Sequence, residues 1–143
     1  ELSAVLGLIV LGMVDDERAR RRAIREQYTR ELGTLPGISI VQMPDGVTNS
    51  EQYMVIRIYG KKFGATRDEV YARLREYNVF ARKYFYPLTS DYPCYHQLPS
   101  ASEALLPNAR QASDEVLCLP FYGQLKTEEV AQISALIRMH QAK

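Results

Sequence analysis

The chain is poor in the residues from which a self-contained active site is usually assembled. It has two histidines and two cysteines. His96 and His140 stand at no metal-ligand spacing and have no third ligand beside them, so the pattern of a zinc site is missing. Cys94 and Cys118 have neither metal spacing nor the density of a disulfide-built secreted domain, which predicts reduced thiols in a cytosolic protein. Cys94 lies two residues before His96, but such close neighbours rarely reach attack geometry, and no carboxylate is placed to orient the imidazole. Charge of one sign is lacking as well: the formal net charge is +1, without the basic excess of a nucleic-acid binder. Leu2 to Val14 is mostly apolar yet falls short of the ~20 residues of a membrane span. It also lacks the basic leader of a signal peptide. With no initiator Met, the chain reads as cut from something longer, its first helix enclosed by a partner outside it.

What remains is ordinary globular material. At 143 residues, 46% hydrophobic and 24% charged, the chain suits one domain with a real core. Leu2 to Leu32 reads as one long helix. Its first half is apolar on more than one face. Its second half, from Asp15-Asp16, carries Glu17/Arg21, Arg22/Glu26 and Glu26/Arg30 at i,i+4 spacing around an Ile24, Tyr28, Leu32 stripe. The arginines among Arg18 to Arg25 therefore read as a solvated face. Gly33 is placed to end the helix, and Leu35-Pro36-Gly37 to turn the chain.

Ile38 to Val41 is a short strand, followed by a Pro44-Asp45-Gly46 turn. Gln52 to Tyr59 alternates with apolar or aromatic residues on both sides, as an internal strand covered on both faces would. Gly60 to Gly64 fits no phosphate-loop motif and reads as a turn. Thr66-Arg67-Asp68-Glu69 is a capping box opening a helix with Val70, Leu74 and Tyr77, which stops near Asn78. Val79 to Tyr86 reads as a strand with Phe80, Arg82, Tyr84 and Tyr86 on one face and Lys83 and Phe85 on the other, ended by Pro87. Thr89 to Ser102 is a long connection of the kind that often carries function. Pro107 starts a helix presenting Ala109, Ala112 and Val116, with Ser113-Asp114-Glu115 as polar surface. Leu117 to Pro120 is a strand, and Thr127 caps a last helix striped by Val130, Ile133, Ile137 and His140. The order predicts an α+β fold, a small mixed or antiparallel sheet covered by helices.

The densest mixture of cations and rings is Ala81 to Leu88, Ala-Arg-Lys-Tyr-Phe-Tyr-Pro-Leu. Arg82, Lys83, Tyr84 and Tyr86 are the candidate binding residues. On the residues alone they suit a non-catalytic module, single-stranded RNA-directed or regulatory, with the rings stacking bases. The neutral charge balance speaks against nucleic acid.

The chain resembles the C-terminal portion of the DegT/DnrJ type of pyridoxal-phosphate-dependent nucleotide-sugar aminotransferases. The resemblance runs from Glu1-Leu2-Ser3-Ala4-Val5-Leu6-Gly7-Leu8 through Leu35-Pro36-Gly37-Ile38, Tyr53-Met54-Val55-Ile56-Arg57 and Arg67-Asp68-Glu69-Val70. It continues through Asn108-Ala109-Arg110 and Ser113 to Pro120, and closes with Leu125-Lys126-Thr127-Glu128-Glu129-Val130. Many members carry Thr-Arg-x-His-Tyr-x-Pro-Leu-His at the position of Ala81 to Thr89. Here Tyr84 and Thr89 replace the two histidines, so no histidine role carries over. The Lys-Tyr-Phe-Tyr-Pro form looks like the subgroup acting on thymidine-diphosphate-linked keto-deoxy sugars, which implies that the tyrosine hydroxyls bond sugar or phosphate and that Arg82 or Lys83 pairs with the diphosphate.

The resemblance implies the small domain of the aspartate-aminotransferase fold, with 1–32 as connecting helix and 33–143 as the α+β domain. It implies a cytoplasmic homodimer that moves an amino group, from glutamate, onto a nucleotide-linked sugar. The lysine that bonds pyridoxal phosphate would lie in an N-terminal domain outside this chain, which alone would have no catalytic residues.

Overall fold

A computed structural model describes residues 1–140 of the chain. Three antiparallel strands form one sheet in the order β1 (Ile38–Ile40), β2 (Met54–Ile58), β3 (Val116–Leu119). The register places Ile40, Ile56 and Leu117 in one row and Met54 beside Leu119. Because side chains alternate with a period of two, this register gathers the large apolar residues on one face. Those residues are buried, whereas Ser39, Val55, Arg57 and Val116 on the opposite face are half-buried. β2 is internal as its sequence predicts, but helices cover one of its faces, not both.

The covering layer consists of α2 (Val14–Leu32), α4 (Arg67–Glu76) and α6 (Thr127–Arg138). Ile24, Tyr28 and Leu32 of α2, Val70 and Leu74 of α4, and Val130, Ile133 and Ile137 of α6 join the sheet residues in one core. The Thr66–Glu69 capping box at the start of α4 is complete: Glu69 N–H donates to Thr66 Oγ1 at 3.2 Å, and Thr66 N–H to Glu69 Oε2 at 2.7 Å. The helix gives way at Asn78, which takes φ 58°. In α6, Thr127 is the first helical residue, not the cap. Lys126 holds the cap position, and its N–H donates to Glu129 Oε2 at 2.8 Å. An ammonium has no acceptor, so half of a capping box is present. His140 lies beyond the end of α6.

The first helix is broken. α1 (Leu2–Leu11) ends at Gly12, Met13 N–H bonds the Val10 carbonyl at 3.0 Å, and α2 starts at Val14. Its residues are exposed, with none buried. Three arginines of α2 are not a solvated face either, whereas Arg20 and Arg22 are exposed as expected. Arg18, Arg21 and Arg25 fall at i, i+3 and i+7, one stripe. They donate to Asn49 O at 3.1 Å, Glu51 O at 3.3 Å and Glu51 Oε2 at 2.6 Å. Among the described residues, Glu17–Arg21 is the one anticipated i,i+4 ion pair that forms, at 2.8 Å.

Gly33 has an ordinary right-handed φ of −66°. The left-handed residue of this turn is Gly37, at φ 82°, where an added Cβ would stand 2.4 Å from Phe63 N. Only glycine permits that approach. Gly60–Phe63 forms a single helical turn, α3, and buries Phe63 completely. The long connection after residue 88 contains three short 3-10 turns: Thr89–Asp91, Pro99–Ala101 and Glu103–Leu105. α5 (Pro107–Glu115) starts at Pro107 as expected, but it buries Ser113 and exposes Ala109.

Val79 to Tyr86 is not a strand. It meets β3 at one bridge, where Arg82 and Cys118 exchange N–H···O bonds of 2.9 Å in both directions. The outward polar groups of β3 are otherwise taken. Val116 O accepts from Arg67 Nη1 at 3.1 Å and Pro120 O from the Tyr28 hydroxyl at 3.2 Å, while Pro120 has no N–H to offer. A ladder longer than one pair has no partners left, and the edge is closed to strand addition.

Candidate functional site

Beyond the Arg82–Cys118 bridge the chain turns at Tyr84 and Phe85, and Ser113 Oγ donates to Phe85 O at 3.2 Å. The segment becomes a ridge with Arg82, Phe85 and Tyr86 exposed. It separates two hollows: of the four predicted binding residues Tyr84 lines one, Lys83 and Tyr86 line the other, and Arg82 touches both. Alternation placed Tyr86 with Arg82 and Tyr84. The structure parts it from Tyr84 and sets it beside Lys83 and Arg82, because a strand's period of two ends where the strand does.

On one side, Arg82 and Tyr84 line a groove of ≈ 810 Å³, together with Tyr53, Phe121, Tyr122 and Leu136. The Tyr84 hydroxyl donates to Tyr53 Oη at 3.0 Å, and the rings are 4.8 Å apart. Gln52 Nε2 also donates to Tyr53 Oη, at 3.2 Å. Each hydroxyl of the pair can donate or accept, so the two phenols form one hydrogen-bonded unit at the groove wall. The bond shared with Tyr84, followed by burial, raises the Tyr53 pKa above the ordinary phenol value. Arg82 is the groove's one cation, and among the described residues it has no carboxylate partner. Cys118 also touches the groove, but burial pushes its thiol pKa up to about 11 against the lowering influence of Arg82. It is therefore a neutral thiol and not a ready nucleophile.

On the other side, Lys83 Nζ pairs with Asp68 Oδ1 at 2.7 Å, and Arg67 Nε donates to the same oxygen at 2.6 Å. Arg67 is 2% exposed. Both cations lie over the Tyr86 ring, 5.1 Å from its centroid for Arg67 and 5.4 Å for Lys83. Partial burial would raise the Asp68 pKa, but the Lys83 hydrogen bond and the Arg67 charge outweigh it and hold it below the usual carboxylate value. Lys83 also faces the Tyr71 ring at 4.7 Å.

Tyr53, Arg67 and Asp68 were missed as site residues. Tyr53, just before β2, was legible as an outward residue of the Gln52 to Tyr59 alternation. Arg67 and Asp68 looked fully explained by the capping box, and no sequence signal pointed from them to Tyr86. Cys94 and His96 do not form a thiol–base pair: Cys94 is exposed, and His96 Nδ1 lies 2.9 Å from Pro93 O. Among the described residues no group of three or more His, Cys, Asp or Glu is placed to hold a metal. No helix there is long and apolar enough to cross a membrane.

The chain is similar to known proteins over nearly its whole length. It is 37% identical over 138 residues to the dTDP-4-amino-4,6-dideoxy-D-glucose transaminase of Escherichia coli, covering 96% of this chain and 37% of that protein. The protein of the same name from Shigella dysenteriae is 31% identical, with the same coverage of each. Among solved structures, DesV from S. venezuelae in complex with a ketimine intermediate superposes with a TM-score of 0.78. It is 25% identical, covering 92% of this chain and 33% of that one. The chain thus spans little more than a third of the relatives' length. The pattern of the DegT/DnrJ/EryC1/StrS aminotransferases matches residues 1–138, and the chain belongs to that family.

Proposed function

We propose that this chain is the substrate-selecting C-terminal part of a transaminase that moves an amino group from glutamate onto a nucleotide-linked keto-deoxy sugar. The observation that carries the reading is the groove beside the ridge. There Arg82, a guanidinium with no carboxylate partner among the described residues, lies alongside the hydrogen-bonded phenols Tyr53 and Tyr84. This is the donor set that a diphosphate and sugar hydroxyls require. Tyr84 orients Tyr53, and Tyr86 presents the far side of the ridge. Lys83, held by Asp68, contributes positive charge from behind.

The described residues of the groove do not fit pyridoxal phosphate. A covalent anchor for it must be a lysine, and among the described residues the groove lining contains none. Lys83, the lysine on the ridge, is committed to Asp68. The cofactor supplies electron withdrawal wherever it is bound, and in this reading a preceding domain binds it. What this chain contributes is recognition: it orients the sugar nucleotide and keeps a wall of rings against it. A cytoplasmic homodimer with composite sites completes the reading.

The test is amino transfer by the full-length protein from glutamate to a dTDP-linked 4-keto-6-deoxy sugar, followed as aminated product, with the isolated chain as the inactive control. Tyr53→Phe and Arg82→Ala in the full-length protein should raise KM about tenfold to a hundredfold, the value of a hydrogen bond to a charged group. The cofactor absorbance should be unchanged. Loss of cofactor with KM intact would overturn the assignment of this wall.

A further inference from the structure

We infer that Asp68 is a positioning residue for the substrate wall: by holding Lys83 and Arg67 side by side, it sets where the Tyr86 ring stands. This rests on the reading of the ridge as a substrate wall, but its physical content stands on the contacts alone. Asp68 Oδ1 receives both Lys83 Nζ at 2.7 Å and Arg67 Nε at 2.6 Å. Arg67 is fixed a second time, through Nη1 to Val116 O at 3.1 Å, and is buried. One end of the device is therefore tied to the edge strand, and the other to the ridge through Lys83. Tyr86 lies against both cations and is otherwise half exposed, at 52%. A ring held by two cation–π contacts follows its cations. Among the described residues, no carboxylate other than Asp68 pairs with Arg67 or Lys83.

Without the Asp68 charge, Lys83 loses its ion pair and retains its contacts with Tyr71 and Tyr86. The long side chain then regains rotamer freedom, and the ring above it loses a defined seat. Asp68→Asn removes the charge and keeps an oxygen where Arg67 Nε donates. It separates the charge effect from simple loss of shape.

The experiment uses the full-length protein with 3-fluorotyrosine incorporated, the Tyr86 fluorine signal being assigned by Tyr86→Phe. Asp68→Asn and Lys83→Gln should each shift and broaden that signal while the Tyr53 signal stays in place. Asp68→Asn should raise KM for the dTDP-sugar on the order of tenfold, with kcat and cofactor absorbance unchanged. In a Tyr86→Leu background, which removes the ring, that KM effect should shrink, since groups acting through one another are not additive. An unmoved Tyr86 signal in both variants overturns the inference. So does a KM effect that adds fully to that of Tyr86→Leu. If Asp68→Asn does not fold, Lys83→Gln carries the same readouts. If Tyr86→Leu leaves KM unchanged while the Tyr86 signal moves in Asp68→Asn, the positioning holds and the substrate-wall reading fails.

Discussion

Arg25 on α2 and Glu51 in the loop before β2 form an ion pair across the domain, Nε to Oε2 at 2.6 Å, with 17% and 4% of their side chains exposed. Arg25 Nη2 also donates to Tyr53 O at 2.6 Å. The pair therefore joins the covering helix to the backbone of a groove residue. Glu51 takes φ 54°, an uncommon value for its type, with its N–H donating to Asn49 Oδ1 at 2.9 Å.

Removing one partner leaves a buried charge. Arg25→Met should destabilise the protein by about 3 to 5 kcal/mol, and Arg25→Met with Glu51→Met by much less, because two apolar chains need no desolvation repaid. Urea unfolding midpoints check this. A single variant within about 1 kcal/mol of wild type would mean that the pair is solvated in solution.

Glu17 ties the start of α2 to the loop after β3: its Oε1 accepts from Arg21 Nε at 2.8 Å and Gly123 N–H at 2.9 Å. The Arg21 hydrogen bond first, then the Gly123 hydrogen bond, lowers its pKa below the usual 4.5. A lowered folded-state pKa adds stability above the unfolded value, and that stability is lost as pH falls through the folded value. Glu17→Gln should therefore cost stability at pH 7 and little at strongly acidic pH. Unfolding midpoints at the two pH values test the difference. An equal loss at both would remove the charge from the argument.

The two cysteines should react at very different rates. Cys94 is exposed, while Cys118 is buried with its thiol pKa near 11. A thiol reagent at pH 8 should label Cys94 promptly and Cys118 only under denaturant, read as one equivalent and then two. Prompt labelling of both would show that the Arg82–Cys118 bridge opens readily.

α1 presents Leu2, Leu6, Ile9 and Val10 to solvent, each more than half exposed. A patch of this kind drives association. The isolated chain should self-associate in sedimentation experiments, and Leu6→Gln with Ile9→Gln should reduce this without changing the unfolding midpoint. A monomeric wild-type chain at high concentration would refute the role of the patch.

Much of the fold was legible because it rests on short-range rules. The β2 alternation, the Thr66–Glu69 box, the Ile24–Tyr28–Leu32 stripe and Pro107 at a helix start each depend on residues within a turn or two of one another. Errors arose where a distant partner decided the outcome. Arg18, Arg21 and Arg25 read as solvated from sequence, yet residues 49 to 53 lie against them. Ser113 read as surface until the Phe85 carbonyl reached it. The site was legible in composition but not in arrangement. Arg82, Lys83, Tyr84 and Tyr86 were picked out by their density, while Tyr53, Arg67 and Asp68 became visible only as neighbours in space.

The ordered series of motifs was enough by itself to indicate the α+β class and the family resemblance, since those depend on residue types in order along the chain. Only the tertiary structure decided which way the ridge faces. The edge of β3 had spent its outward hydrogen bonds on Arg67, Arg82 and Tyr28, so the segment after Arg82 could not continue as a strand. It turned instead, sending Tyr84 to Tyr53 and Tyr86 to Arg67. No local pattern encodes that outcome, because the groups that forbid the strand lie tens of residues away in sequence.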